Sequence, residues 1–409
     1  MTKGKNTKPH IGIFGRRNNG KSSLINTLTG QDIAIVSDFA GTTADPVKRS
    51  YEIEGIGPAI FVDTAGFDDS GSLGEKRVKK TLNTLKTIDA AILLIVDNIF
   101  DSKERDIIKA FNEWAIPFII IHNKEDISAL TQKTKELIEN EYNTSVIPFS
   151  TVDKKNIDLL ISALKKAMPD SAYKTVTFIG DLISYGDTVL LITPIDSEAP
   201  EGRMILPQVQ VIRDVLDNDG VAVVCKEREV DALFKRMFPK PVLVITDSQV
   251  FQQADASISK DIPLTSFSIV LARQKGNFEA YLKGTPYIDK LENGDRILIL
   301  ESCSHHVSCD DIGRVKIPRW LSNYTGKDLK YDIVSGLDEP PQAITNYAMV
   351  IQCGGCVITK KQLINRLKPA IDAGIAVTNY GMAIAYLHGI YHRAVQPFNK
   401  NKDIDANYL

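Results

Sequence analysis

The chain has 409 residues, more than one hydrophobic core usually supports, so two or three domains are expected. Lysine and arginine total 49 against 51 acidic residues, a net charge of −2, with 24% charged and 43% hydrophobic residues, an ordinary globular balance that counts against nucleic acid as the main partner. The longest apolar runs, such as residues 90–96, fall far below the roughly 20 residues a membrane span needs. The polar start MTKGKNTKPH offers nothing a secretion system would read, so a cytoplasmic protein without membrane attachment is expected.

From residue 9 to about 168, the strand-like runs HIGIF, AIFVD, AAILLIVD, PFIIIH and VIPFS alternate with helical patterns. This alternation predicts a parallel sheet flanked by helices. The stretch MPDSAY, residues 168–173, reads as a linker. A second α/β block follows, with TVLLITP, a helix after Pro207, VAVVCK, a charged helix from about Glu227, and PVLVITD. From about Pro263 the pattern restarts with a long helical stretch, then RILILES, DLKYDIVSG, AMVIQC, a helix after Thr359, and IAVTNYG. The expected fold class is therefore α/β in three domains, bounded 1–170, 171–262 and 263–409.

Gly15-Arg16-Arg17-Asn18-Asn19-Gly20-Lys21-Ser22, followed by Ser23, fits G-x-x-x-x-G-K-[ST] between a strand and a helix, the context that makes the motif a phosphate-binding loop. Backbone amides and the helix N-terminus can hold phosphate oxygens. Lys21 then reaches the β and γ phosphates, with Ser22 and Thr43 as Mg²⁺ ligands. Asp63 ends the strand AIFVD at the carboxyl edge of the sheet, near the metal, and the Gly66 amide falls near the γ-phosphate. Thr42 and Thr43, in Gly41-Thr42-Thr43, occupy the place of a switch segment. Asn123-Lys124-Glu125-Asp126 follows PFIIIH, and a carboxylate at Asp126 accepts two hydrogen bonds from guanine N1 and the 2-amino group. Adenine has no such donor pair, which points to GTP and GDP. Ser150 and Thr151, after VIPFS, form a weaker fifth element.

These motifs, GRRNNGKSSL and GTTAD, resemble the signatures of the Era/TrmE type of GTPase. In that group an asparagine of the phosphate loop and the backbone before GTT hold a K⁺ ion where other GTPases use an arginine finger. The resemblance assigns these positions to Asn18 and to residues 38–42. Phe67 stands where Ras-type enzymes carry a water-orienting glutamine. Slow intrinsic hydrolysis, accelerated by K⁺, is what the resemblance implies.

Four of the five cysteines lie between residues 303 and 356. In a reducing compartment they are not a disulfide framework, which leaves metal or redox chemistry. Cys353-Gly-Gly-Cys356 follows the strand-like AMVIQ, and Cys303-Ser-His305-His306 follows RILILES. Carboxyl ends of strands line the ligand crevice of an open α/β sheet, so these residues converge if the two strands share an edge. A C-x-x-C alone is compatible with zinc, a redox pair or an iron–sulfur cluster. Cys225, inside VAVVCK, reads as a small buried hydrophobe and Cys309 as a bystander. His10, His122, His388 and His392 read as structural.

With these motifs in place, the whole chain resembles the HydF family of [FeFe]-hydrogenase maturation GTPases. The phrases DLISYGDTVLLITPID, EGRMILPQVQ, FSIVLARQKGNF, IQCGGC and TNYGMAIAYLHG look like stretches of that family. Its cluster frame is C-x-H, an interval, then H-C-x-x-C. Cys303, His305, Cys353 and Cys356 fit it, but Gln352 replaces the second histidine. Glutamine is a poor iron ligand, which excludes a Cys₃His cluster using that position. The resemblance implies a [4Fe-4S] cluster on Cys303, Cys353 and Cys356, with His305 the first candidate for a weak fourth ligand and His306 or a carboxylate as competitors. It also implies a dimerisation domain in the middle block and a homodimer. A transient two-iron precursor would come from radical-SAM maturases and pass to apo-[FeFe]-hydrogenase. Two other readings compete: a tRNA-modifying GTPase of the TrmE type, and a GTPase with a structural zinc site.

Overall fold

The computed structural model describes residues 8–29, 47–53, 57–64, 84–153, 155–168, 177–194, 204–302 and 311–399. Residues 38–43, Gly66, Phe67, 169–173 of the linker, Cys303, His305, His306 and Cys309 lie outside the described residues. The chain divides into two compact units, residues 1–175 and 176–409.

In the first unit, β1 (His10–Gly15), β2 (Val47–Ile53), β3 (Gly57–Asp63), β4 (Ala90–Ile95), β5 (Phe118–His122) and β6 (Val146–Pro148) form one sheet in the order β2-β3-β1-β4-β5-β6. Only β2 runs antiparallel to its neighbour. β1 and β4 are buried along their whole length, which is why they read as continuous apolar runs. Successive residues of a strand face opposite sides, and the core divides accordingly. Ile92 and Leu94 pack with Ile11, Ile13 and Leu24, whereas Leu93 and Ile95 pack with Phe14, Ile108 and Phe111.

The second unit holds two four-stranded, all-parallel sheets. The first orders β7 (Thr188–Ile192), β8 (Val221–Cys225), β9 (Leu243–Thr246) and β10 (Leu264–Ser266) as β10-β9-β7-β8. β10 pairs with β9, so this sheet continues past residue 262, where the sequence places a boundary. The second orders β11 (Arg296–Leu300), β12 (Lys330–Val334), β13 (Met349–Gln352) and β14 (Ala376–Asn379) as β12-β11-β13-β14.

The helix Phe267–Lys275 serves both sheets. Phe267, Val270 and Leu271 pack with Val189, Leu191 and Leu243, while Ile269 and Ala272 join the cluster that holds Leu298, Leu300 and Val350. Each of the larger side chains, fully buried, contributes about 1.5–3 kcal/mol. Asn379 Nδ2 donates to the Ser268 carbonyl (3.0 Å), tying this helix to the carboxyl end of β14. Among the described residues, no helix is long and apolar enough to cross a membrane.

Candidate functional site

β1 ends at Gly15, and after a short loop the helix Lys21–Thr29 begins. The loop needs two left-handed residues, Asn18 (φ 61°) and Gly20 (φ 86°). A Cβ at Gly20 would stand 2.4 Å from Asn123 Nδ2, so a side chain is excluded there on space as well. Lys21 Nζ donates to the carbonyls of Gly15 (3.0 Å) and Arg16 (2.8 Å), folding over the loop. Ser22 Oγ donates to Asp63 Oδ2 (3.2 Å), so the two residues expected around Mg²⁺ meet where the helix Lys21–Thr29 begins and β3 ends. Thr64 Oγ1 donates to the Ile13 carbonyl (2.6 Å) and fastens the turn after β3 to β1. Ser23 lies in the first turn of the helix.

The base-reading segment is tied to this loop. Asn123 Nδ2 donates to the Asn19 carbonyl (2.9 Å), and Asn19 Nδ2 donates to the Leu94 carbonyl (2.8 Å). Lys124 has φ 59°, turning the chain so that Glu125 N donates to the Phe149 carbonyl (3.1 Å). Asp126 Oδ1 then accepts from Ser150 Oγ at 2.6 Å, with Thr151 next in the chain. The fourth and fifth elements read from sequence are therefore neighbours in space. His122 is fully buried, with Nδ1 2.9 Å from Glu125 Oε2, and His10 is buried beside Asp89, in keeping with structural roles.

One feature of the loop has no motif in the sequence. Arg16 Nε and Nη2 donate to Glu104 Oε1 (2.7 Å) and Oε2 (2.6 Å), and Nη2 also reaches Asp101 Oδ2 (2.6 Å). Bonding to Glu104 holds the guanidinium well above its ordinary pKa. Asp101 and Glu104 also form the capping box of helix Ser102–Glu113, so one acidic pair caps a helix and anchors the phosphate loop.

In the second unit, β11 and β13 are hydrogen-bonded neighbours with Leu300 opposite Gln352. β12 lies on the far side of β11, and β13 opens the other half of the sheet. The carboxyl ends of β11 and β13 thus flank the point where strand order reverses, the usual ligand crevice of such sheets. There Ser302 N donates to Cys353 Sγ (3.1 Å), and Cys353 Sγ lies 3.0 Å from Ser302 Oγ. Gln352 is fully buried; its Nε2 donates to Ser302 Oγ (3.2 Å) and to the Cys353 carbonyl (3.1 Å), clamping one strand end to the other.

Cys353 and Cys356 are not in a disulfide. Burial pushes the Cys356 thiol above its ordinary pKa, and Cys353 adds to this while Lys275 opposes it. Lys275 is 5% exposed and donates Nζ to the carbonyls of Gly355 (3.1 Å) and Ile358 (3.2 Å). Burial pulls its ammonium down, and the two thiols push it back up. Among the described residues no three His, Cys, Asp or Glu side chains group to hold a metal. Cys353 and Cys356 are two described thiols, and Cys303 and His305 lie outside the described residues. An amide N–H aimed at a sulfur and a buried cation beside the loop suit a thiolate-held, anionic group.

A phosphate loop on β1, a carboxylate ending β3 and Asn-Lys-x-Asp ending β5 define the first unit as a P-loop GTPase, joined here to a two-sheet α/β unit. The 50S ribosome-binding GTPase family model matches residues 10–124. The hydrogen maturase F dimerization domain matches residues 178–276, and the hydrogen maturase F tetramerization domain residues 279–397. The chain belongs to the hydrogen maturase F, or HydF, family.

Among curated relatives, the tRNA modification GTPase MnmE of Histophilus somni is 36% identical over 163 residues, 38% of this chain and 34% of the relative. That of Nitrosomonas europaea is 38% identical over 159 residues, 38% of this chain and 33% of the relative. The chain thus spans about a third of the length of these relatives. Among solved structures, Aquifex aeolicus Era bound to GDP·AlF4− aligns at 18% identity and TM-score 0.36, covering 53% of this chain and 92% of that one.

Proposed function

We propose that this chain is a GTP-hydrolysing scaffold of [FeFe]-hydrogenase maturation, which holds a [4Fe-4S] cluster and delivers a two-iron precursor to the apo-enzyme. The observation that carries the reading is the pairing of β11 with β13. It sets Ser302, the residue before Cys303, against Cys353 in a chain whose second unit matches two hydrogen maturase F domains. Cys303, Cys353 and Cys356 would hold the cluster, with His305 as weak fourth ligand; the cluster supplies an attachment point with one exchangeable iron. Radical-SAM maturases are the expected source of the precursor, and a homodimer the expected assembly.

In the first unit, Gly15, Asn19, Gly20 and Ser23 would surround the phosphates of GTP, and Lys21 would neutralise charge developing on the β and γ groups. Ser22 and Thr43 would ligate Mg²⁺, with Asp63 holding Ser22 in place and the Gly66 amide donating to the γ-phosphate. Asn18 would ligate K⁺. Asn123, Lys124 and Asp126 would read guanine, supported by Ser150 and Thr151. Hydrolysis would then bias conformation or partner release, since the GTPase motifs themselves offer no chemistry on a cluster.

Anaerobic reconstitution of the full chain with iron and sulfide, followed by visible absorption and metal analysis, tests the proposal. A broad visible absorption with about four irons per chain is expected. A colourless protein that retains zinc would replace it with the structural-zinc reading.

A further inference from the structure

Two cations, the buried Lys275 and the half-buried Arg366, lie at the cysteine site, and neither forms a salt bridge with a carboxylate among the described residues. Lys275 gives its ammonium to the carbonyls of Gly355 and Ile358, which bracket Cys356. Arg366, on the helix Lys360–Asp372, donates Nη1 to the Glu301 carbonyl (2.6 Å) and Nη2 to the Val334 carbonyl (2.8 Å). Its Nε is buried without a hydrogen-bond partner.

Of the two carboxylates that act on Arg366, Asp338 is exposed and Glu301 is engaged elsewhere. Glu301 Oε2 accepts from Arg314 Nε (3.0 Å) and Nη2 (2.8 Å) and from Ser335 Oγ (3.0 Å). Carbonyl oxygens satisfy donors, but they do not neutralise a charge, so burying Lys275, and half-burying Arg366, is costly unless something negative faces them. Cys356 and Cys353, ionised to hold a metal group, would be that something: as thiolates they favour the charged form of Lys275, and Cys353 leads the groups favouring the charged form of Arg366. A cubane cluster held by thiolates is net anionic, and more so when reduced.

We propose that Lys275 and Arg366 are the counter-charges of the cysteine site, offsetting a thiolate-held cluster and raising its reduction potential. The inference rests on the cluster reading above and adds two positioning residues to it. A reduced cluster carries one more negative charge than an oxidised one, so nearby fixed cations favour reduction. Hydrogen bonding to the loop carbonyls would by itself produce no such dependence on charge.

The test uses the full chain, reconstituted anaerobically, as wild type and as Lys275→Gln, Lys275→Arg, Arg366→Gln and Arg366→Lys. Glutamine keeps a donor and removes the charge; the other two keep the charge. Iron and sulfide content, the EPR spectrum of the reduced form and the midpoint potential from a mediated titration are read for each. Both glutamine variants are expected to move the potential downward, with the charge-conserving variants near wild type. Loss of the cluster in a glutamine variant but not in its charge-conserving counterpart supports the same conclusion. Equal potentials in wild type and glutamine variants, or equal loss in both members of a pair, would overturn the inference while leaving the cluster reading intact. A wild type that binds no iron and sulfide would overturn the cluster reading itself.

Discussion

Arg16 and Glu104 form a forked ion pair in which the carboxylate is fully buried and the guanidinium belongs to the phosphate loop. The Arg16 carbonyl is also one of the two that hold Lys21 Nζ. Removing Glu104 leaves Arg16 with Asp101, whose side chain is 52% exposed and a weak substitute. Glu104→Ala is therefore expected to destabilise the nucleotide-binding unit by about 3 kcal/mol, the cost of breaking a buried pair from one side. Urea unfolding of the full chain measures it, and GTP affinity should fall in parallel. An unchanged midpoint with unchanged affinity would show that the pair anchors nothing.

Asp126 sits 2.6 Å from the Ser150 hydroxyl, which restricts how the carboxylate can turn. Asp126→Asn exchanges two acceptors for one acceptor and one donor, so GTP should bind roughly tenfold or more weakly while xanthine nucleotides gain. Ser150→Ala should cost GTP several-fold through loss of orientation, without gaining xanthine. Equal affinity of the wild type for ATP and GTP would refute the assignment of the base.

Asn18 occupies a left-handed conformation, which asparagine tolerates better than most residues, and its side chain belongs to the loop where the Era/TrmE resemblance places a K⁺ ligand. GTP hydrolysis is expected to rise markedly when Na⁺ buffer is replaced by K⁺. Asn18→Asp retains the side-chain oxygen and should keep most of that rise, whereas Asn18→Ala should abolish it. Identical rates of the wild type in the two salts would remove the ion from the mechanism.

The convergence of the cysteine-bearing strand ends was legible because it needs only two apolar strands sharing an edge, and β11 and β13 do. The phosphate loop was legible for a similar reason: its function is local, within Gly15 to Ser22. Lys275 and Glu104 were not. A lysine or glutamate on a helix reads as solvent-exposed, and what buries these two is packing from elements far along the chain. For Lys275 a signal existed: FSIVLARQK is apolar around most of its circumference, which marks a helix covered on several sides. Gln352 read as a missing ligand, and its actual contacts tie Ser302 to Cys353, which required knowing the register of two strands. The end of the middle sheet was also hidden, since β10 is only three residues long and runs straight into the helix that follows it.

His388 packs edge-on against Trp320 (5.2 Å between centroids), with Nδ1 3.0 Å from Gln252 Nε2. Burial lowers its pKa below the ordinary 6.5, because the neutral ring, which can accept from Gln252, is favoured in the fold. Between the folded value and 6.5 the unfolded chain binds more protons, so stability rises with pH across that window. The contribution is present in full above 6.5 and is lost as pH falls toward the folded value. His388→Gln should flatten the fall in melting temperature between neutral and mildly acidic pH. An unaltered slope would assign that fall to other groups.

The cysteines separate by position and by environment. Cys353 follows β13 directly, receives the Ser302 amide at 3.1 Å, and shares its loop with Cys356; Cys303 follows Ser302 in the chain. Cys225 ends β8, where burial, with Glu229 and Glu227, pushes its thiol up to about 11, whereas at Cys356 the Lys275 ammonium opposes the rise that burial causes. Replacing Cys303, Cys353 or Cys356 by alanine should each lower reconstituted iron by roughly half or more, since a cubane cluster that loses one of three thiolates is poorly retained. Cys225→Ala and Cys309→Ala should leave it unchanged. If these three thiolates hold the cluster, its fourth iron would carry a weaker ligand, and imidazole or cyanide added to the reduced protein should change its EPR spectrum. A spectrum indifferent to both would mean the fourth iron is firmly held. If Cys309→Ala abolished the cluster while Cys303→Ala left it intact, the third thiolate would have to be reassigned to Cys309.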